Sequence, residues 1–220
     1  VTMTGIDSDK HFFGTCGPVI PGVEMKLAAD GEILVKGPNI MQGYYKNPVA
    51  TAEVIDADGW FHTGDIGVLV QDKYLKITDR KKEIFKTSGG KYIAPAALES
   101  EFKQSRFIEQ ILVIGEGQKM PAALIQPNFQ FLRDWAKRKG EPVLEDNEDL
   151  ISNPRIIKRI QKEINKGNEN FGKWETIKVF ELTPDIWSLE NGLLTPTMKP
   201  KRDEIINKYK HLYNKIYEIK

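Results

Sequence analysis

The apolar residues of this chain fall largely at alternate positions up to about residue 79, and from about residue 80 stretches at helical spacing join the strand-like runs, so one uniform architecture cannot serve the whole. In the first part, "EMKLAADGEILVKGP" alternates through Met25 and Leu27, turns at Asp30–Gly31 and resumes with Ile33 and Val35, which marks a β-hairpin. "HTGDIGVLVQDKYLKITD" repeats the scheme, with Ile66, Val68 and Val70 expected to face Tyr74 or Leu75 and Ile77 across a short polar turn. Between them "NPVATAEVI" carries a helical turn or two. Short strands, tight turns and little helix predict a small antiparallel barrel-like or sandwich unit.

Beyond residue 80 strands and helices mix. "APAALESEFKQS" reads as a helix with Pro95 in its first turn, and "FIEQILVIG" and "PAALIQP" read as strands around the turn Glu116–Met120. Phe129, Leu132, Trp135 and Ala136 lie at helical spacing. So do Ile156, Ile157, Ile160 and Ile164, behind the capping run Ser152-Asn153-Pro154. "TIKVFEL" predicts a further strand, and the stripe from Ile205 to Ile216 one last amphipathic helix. "GEPVLEDNEDLISNP" reads as an acidic, exposed connection. The expected class is α+β: residues 1–79 a β-rich unit, 80–82 a junction, 83–220 an α+β unit.

Charge and cysteine content narrow the function. The net charge is +1 over 220 residues, so no global field draws the chain to nucleic acid. Cys16 is the single cysteine, which excludes a disulfide framework and suits a cytoplasmic address. No apolar run approaches the roughly 20 residues of a membrane span. The opening "VTMTGIDSDKHFF" has neither an initiator methionine nor a leader, so the chain is expected to be a piece of something longer.

Several residues can carry chemistry. Asp65, in "HTGD", is a carboxylate on a Thr-Gly turn; it reads first as a turn cap and second as an acceptor for both hydroxyls of a ribose diol. Gly59, Trp60 and Phe61 read as packing, and His62 as a structural hydrogen-bonder. Arg80 heads a basic run and reads either as a solvated charge or as a fork for ribose or phosphate oxygens. "TSGGK", from Thr87 to Lys91, is a flexible run short of side chains, as a backbone lying along an extended ligand must be. It lacks the spacing of a phosphate-cradling P-loop. Lys199 sits between Pro196 and Pro200, which stiffen its loop, although a solvated lysine is the plainer reading.

Taken in order, "MQGYYKNPVAT", "DGWFHTGDIG", "YLKITDRKKEIFKTSGGKYIAP" and "LLTPTMKPKR" resemble the adenylate-forming enzymes, over essentially the whole chain. The long-chain fatty-acid–CoA ligases are the most similar subgroup. Most of the superfamily has Gly immediately before its catalytic lysine; here that place is Met198, as in the long-chain form "NGLLTPTxKxKR". The resemblance implies a fatty acid joined to AMP from ATP, with pyrophosphate leaving, and then passed to the thiol of CoA. By position it gives Asp65 the ribose hydroxyls, Arg80 the same ribose or phosphate region, and Lys82 the hinge of a mobile C-terminal domain. It further implies that Lys199 bridges the carboxylate and the α-phosphate, that Lys86 approaches the site in a second conformation, and that Ser88, Gly89 and Gly90 line the path of CoA's pantetheine arm. It also implies Mg2+, held mostly by an N-terminal region preceding this chain, and allows peripheral membrane contact of the parent. That region's phosphate loop, Tyr-Gly-x-Thr-Glu segment and acyl tunnel do not occur here, so the chain alone is expected to be inactive. The alternatives are another adenylate-forming acyl- or aryl-CoA ligase, or a non-catalytic nucleotide- or CoA-contacting module.

Overall fold

The computed structural model describes residues 12–219, so the opening "VTMTG" lies outside the described residues. The chain is α+β and divides between Ile84 and Phe85 into two compact units.

The first unit is a curled antiparallel meander of β1 (Glu24–Leu27), β2 (Glu32–Lys36), β3 (Phe61–Val70) and β4 (Tyr74–Arg80). The Asp30 carboxylate accepts the Glu32 N–H at 3.1 Å and Gly31 takes φ 83°, so Asp-Gly closes the first hairpin as expected. Helix α1 (Pro48–Val54) starts on the Asn47 side chain, which accepts the Ala50 N–H. Ile33, Val35 and Leu75 form the buried centre. Val70 faces Tyr74 as expected, but the rest of that facing is corrected: a register shift between Ile66 and Gly67 sets Ile66 against Asp79, Val68 against Lys76 and Ile77 against Gly67, and Val68 and Ile77 stay 46% and 48% exposed.

The second unit begins with the two-residue strands β5 (Phe85–Lys86) and β6 (Tyr92–Ile93), followed by α2 (Pro95–Phe102). Its main sheet joins β7 (Ile108–Ile114) to β8 (Ala122–Pro127) antiparallel, and β8 to β9 (Phe180–Leu182) parallel. Around it lie α3 (Phe129–Arg138), α4 (Asn147–Ser152), α5 (Pro154–Asn168), α6 (Arg202–Lys208) and α7 (Lys210–Tyr217). Ile111, Val113, Ala123 and Ile125 face a core shared with α2, α3 and α5. Leu112, Ile114, Ala122 and Leu124 face a second one with α6 and α7. A sheet covered on both faces explains why its strands are continuous apolar runs rather than alternating ones.

Four expectations are corrected. The final stripe is two helices, broken at Tyr209, whose hydroxyl donates to Asp185 at 2.7 Å. The acidic connection holds α4, because Asp146 caps the Glu148 and Asp149 amides and Leu150 is buried. Ile157 is 41% exposed and stands off the stripe that α5 buries. The strand in "TIKVFEL" spans Phe180–Leu182 alone.

Gly167, buried in α5, marks where that helix presses on α2. A methyl there would stand 2.5 Å from Cε1 of the buried Phe102 ring. Gly167→Ala should therefore destabilise the chain by about 1–3 kcal/mol despite its better helix propensity. Urea unfolding checks this, and the loss should shrink when Phe102→Leu is added.

Candidate functional site

Between the pairs Leu34↔His62 and Glu32↔Ile66, three residues of β3, Thr63 to Asp65, stand opposite Ile33. Such a bulge breaks the ladder, and side chains supply the missing bonds. The Thr63 hydroxyl donates to the Ile33 carbonyl at 2.8 Å and accepts the Asp65 N–H at 3.1 Å. Gly64, at φ 71°, gives its N–H to Glu32 Oε1 at 3.0 Å, and its carbonyl accepts the Lys81 N–H at 2.8 Å. Only glycine takes that backbone angle at little cost.

Glu32 is 4% exposed. Its Oε2 lies 3.1 Å from Nδ1 of His62 and 2.8 Å from Nζ of Lys81. Lys81 also reaches Asp30 at 2.7 Å, and Nε2 of His62 lies 3.7 Å from Asp56. Burial pushes the Glu32 carboxyl up, but hydrogen bonds from Lys81, His62 and the Gly64 amide outweigh it and hold the group below its ordinary value. The Lys81 hydrogen bond, first among its causes, likewise lowers Asp30. Sequence reading missed Glu32 and Lys81. The available signal was the unbroken apolar run Ile33-Leu34-Val35, which marks a strand buried on both faces and Glu32 as part of it.

On this frame Asp65 and Arg80 are cross-strand partners, with Nε of Arg80 2.9 Å from Oδ1 of Asp65. The structure thus joins these two residues in one polar, partly open group. Lys82 follows in the turn 81–83, exposed, where the Glu83 N–H donates to the Arg80 carbonyl.

In the second unit the "TSGGK" run closes the β5–β6 hairpin. It is not slack, contrary to the flexible run expected. Thr87 is buried and bonds both the N–H and the carbonyl of Lys91. Gly90, at φ 78°, donates to the Thr87 carbonyl. The Ser88 N–H donates to the Gln118 carbonyl, and the Lys86 carbonyl accepts the Gly117 N–H, each at 2.9 Å. Ser88, Gly89 and Gly90 are exposed on this pinned backbone, and Nζ of Lys86 lies 5.4 Å from the Tyr92 ring centroid.

Lys199 sits on a separate loop of the same unit. The Thr195 N–H donates to the Lys199 carbonyl at 2.8 Å, the Lys199 N–H donates to the Thr195 hydroxyl, and Leu194 bridges Pro200. Leu193 and Leu194 are buried, and Arg202 is tied to Glu99 and to the Val113 carbonyl. The base of the loop is buried and hydrogen-bonded, and Lys199 is exposed. Met198, in the place where most of the adenylate-forming enzymes have glycine, adopts φ 60° and is 58% exposed. Such a backbone costs a non-glycine residue roughly 1–2 kcal/mol. Among the described residues no group of three or more His, Cys, Asp or Glu side chains could hold a metal ion.

Comparison with known proteins adds the following. The family described as "AMP-binding enzyme C-terminal domain" matches residues 82–220. The chain is 41% identical over 197 residues to human long-chain-fatty-acid–CoA ligase 1, covering 88% of this chain and 28% of that protein. It is 37% identical over 206 residues to a long-chain-fatty-acid–CoA ligase of Mycobacterium tuberculosis, covering 92% and 34%. The adenylation domain of a carboxylic acid reductase from Segniliparus rugosus, solved with AMP and a co-purified carboxylic acid, superposes with TM-score 0.71 at 26% identity, covering 94% and 34%. The chain thus spans about a third of these proteins.

Two predictions follow from this geometry. Because the Glu32 and Asp30 carboxyls titrate below their ordinary values, their stabilisation is present above about pH 4.5, the ordinary glutamate value, and is lost as pH falls through the folded values. Glu32→Gln should cost about 1–3 kcal/mol at pH 7 and flatten this acid limb, measured as unfolding free energy against pH. At Met198, glycine should be tolerated without loss, whereas Met198→Val should cost about 1–2 kcal/mol more than glycine. Chemical denaturation of the two variants tests the strain.

Proposed function

Because this chain belongs to the AMP-binding enzymes, whose C-terminal domain matches residues 82–220, we propose that it is the C-terminal part of an ATP-dependent long-chain fatty acid–CoA ligase. The reaction is fatty acid, ATP and CoA to acyl-CoA, AMP and pyrophosphate, by way of an acyl-adenylate. The observation that carries the reading is the Lys199 loop: an exposed ammonium on a hydrogen-bonded turn with a buried base. Negative charge develops between an attacking carboxylate and an α-phosphate, and a compact cation held in advance stabilises it without reorganisation. The likeness to two long-chain ligases supports the substrate class over other acyl or aryl acids.

The remaining roles follow from chemistry at each position. Asp65, with one oxygen already engaged by Arg80, accepts from the ribose diol, while Arg80 reaches ribose or phosphate oxygens. Lys82, in the turn that ends the first unit, is the pivot between half-reactions. The pinned backbone of Ser88, Gly89 and Gly90 lines the pantetheine path, and Lys86 approaches the site in the second arrangement. Mg2+ would screen the charge of the triphosphate, with its ligands mostly in the N-terminal region that the resemblance places before this chain. We also place the protein in the cytoplasm, on its single cysteine, with room for peripheral lipid contact of the parent; no described helix is long and apolar enough to cross a membrane.

In a full-length protein carrying this sequence, Lys199→Ala should slow acyl-adenylate formation by about 10²–10³-fold while sparing thioester formation from supplied acyl-AMP. Single-turnover assays of the two half-reactions decide. Equal loss in both would make Lys199 structural.

A further inference from the structure

We propose that Glu32 is a positioning residue through which the Asp65 turn and the chain entering the Lys82 pivot are held by one buried carboxylate, with Lys81 as the link. The proposal rests on the ligase reading above and names two residues to which that reading gives no role.

The geometry is directional. Oε1 of Glu32 takes the Gly64 amide, which fixes the bulge that presents Asp65. Oε2 takes the Lys81 ammonium and faces Nδ1 of His62. Lys81 returns to the same glycine through its backbone, donating to the Gly64 carbonyl at 2.8 Å. Both polar groups of the Gly64 peptide are therefore bonded to the Glu32–Lys81 pair. Lys81 stands between Arg80, which is paired to Asp65, and Lys82. A buried carboxylate with one donor removed is costly, so a displacement of Lys81 is felt at Gly64 and a displacement of the turn is felt at Lys81.

This arrangement gives Glu32 two effects that a merely structural glutamate would lack. It sets the angle at which Asp65 meets the ribose hydroxyls. It also anchors the backbone one residue before the pivot, so rotation is confined to Lys82 and beyond. Asp30 adds a second carboxylate on Lys81 at 2.7 Å, which makes the anchor two-pronged.

The test uses the full-length enzyme with Glu32→Gln and Lys81→Met, assayed with ATP and with 2′,3′-dideoxy-ATP, which lacks the hydroxyls Asp65 would hold. Glu32→Gln should raise KM for ATP about tenfold at nearly unchanged kcat, yet change KM for the dideoxy analogue less than about twofold. Lys81→Met, which takes the ammonium away from Glu32 and keeps the long side chain, 47% exposed in the wild type, should alter the ratio of thioester formation to adenylation by about threefold or more. An equal rise in KM for both nucleotides would reduce Glu32 to a structural role and overturn the proposal. So would an unchanged half-reaction ratio in Lys81→Met, which decides the matter if Glu32→Gln does not fold. A wild-type enzyme that forms no acyl-adenylate, or uses both nucleotides equally well, would instead remove the reading on which the proposal rests.

Discussion

A carboxylate almost out of reach of water has to be met by donors, and the first unit is arranged around meeting Glu32. The β3 bulge turns the Gly64 amide toward it, His62 lies against it, and the chain leaving β4 brings Lys81 back to it. Without those groups, burial would favour the neutral acid; with them, the anion is preferred. The proposed site in this unit hangs on that choice. Asp65 is presented by the same bulge, and Arg80 reaches it across the ladder because the β3–β4 register makes them partners.

The second unit solves a different problem. Its sheet is covered on both faces, so the polar residues proposed for the site lie on loops whose ends are buried. The Thr87–Lys91 turn is closed by the buried Thr87 and tied to the 117–118 backbone. The Lys199 loop rises from Leu193 and Leu194 and is stapled behind by Arg202 on Glu99. In both, the backbone is hydrogen-bonded while Ser88, Gly89, Gly90 and Lys199 stay exposed. Met198 shows that this order carries a local cost: a side chain sits at a backbone angle that glycine would take freely.

Much of this was legible in the residues, and for physical reasons. Asp30–Gly31 admits few geometries, Asn153-Pro154 caps and starts a helix, and unbroken apolar runs mark strands covered twice. What escaped depended on partners distant in the chain. Nothing near Glu32 announces Lys81, 49 positions later. Tyr209, where the last stripe breaks, gives its hydroxyl to Asp185, a contact that no periodicity encodes. Helix α4 hid because its capping acids look like solvated charge. The glycine pair suggested slackness because composition registers missing side chains and not the backbone bonds to Gln118 and Gly117. Asp65 and Arg80 were each visible alone, but their pairing is set by strand register.

The central claim is that one carboxylate holds the Asp65 turn and the chain before the pivot as a single element. Native-state amide exchange in this chain addresses it directly, comparing Gly64 and Lys81 with and without Glu32→Gln. The account predicts that both amides are protected in the wild type and that both accelerate together, by a common factor, in the variant. Acceleration of Gly64 alone, with Lys81 as slow as before, would show two independent anchors and contradict it.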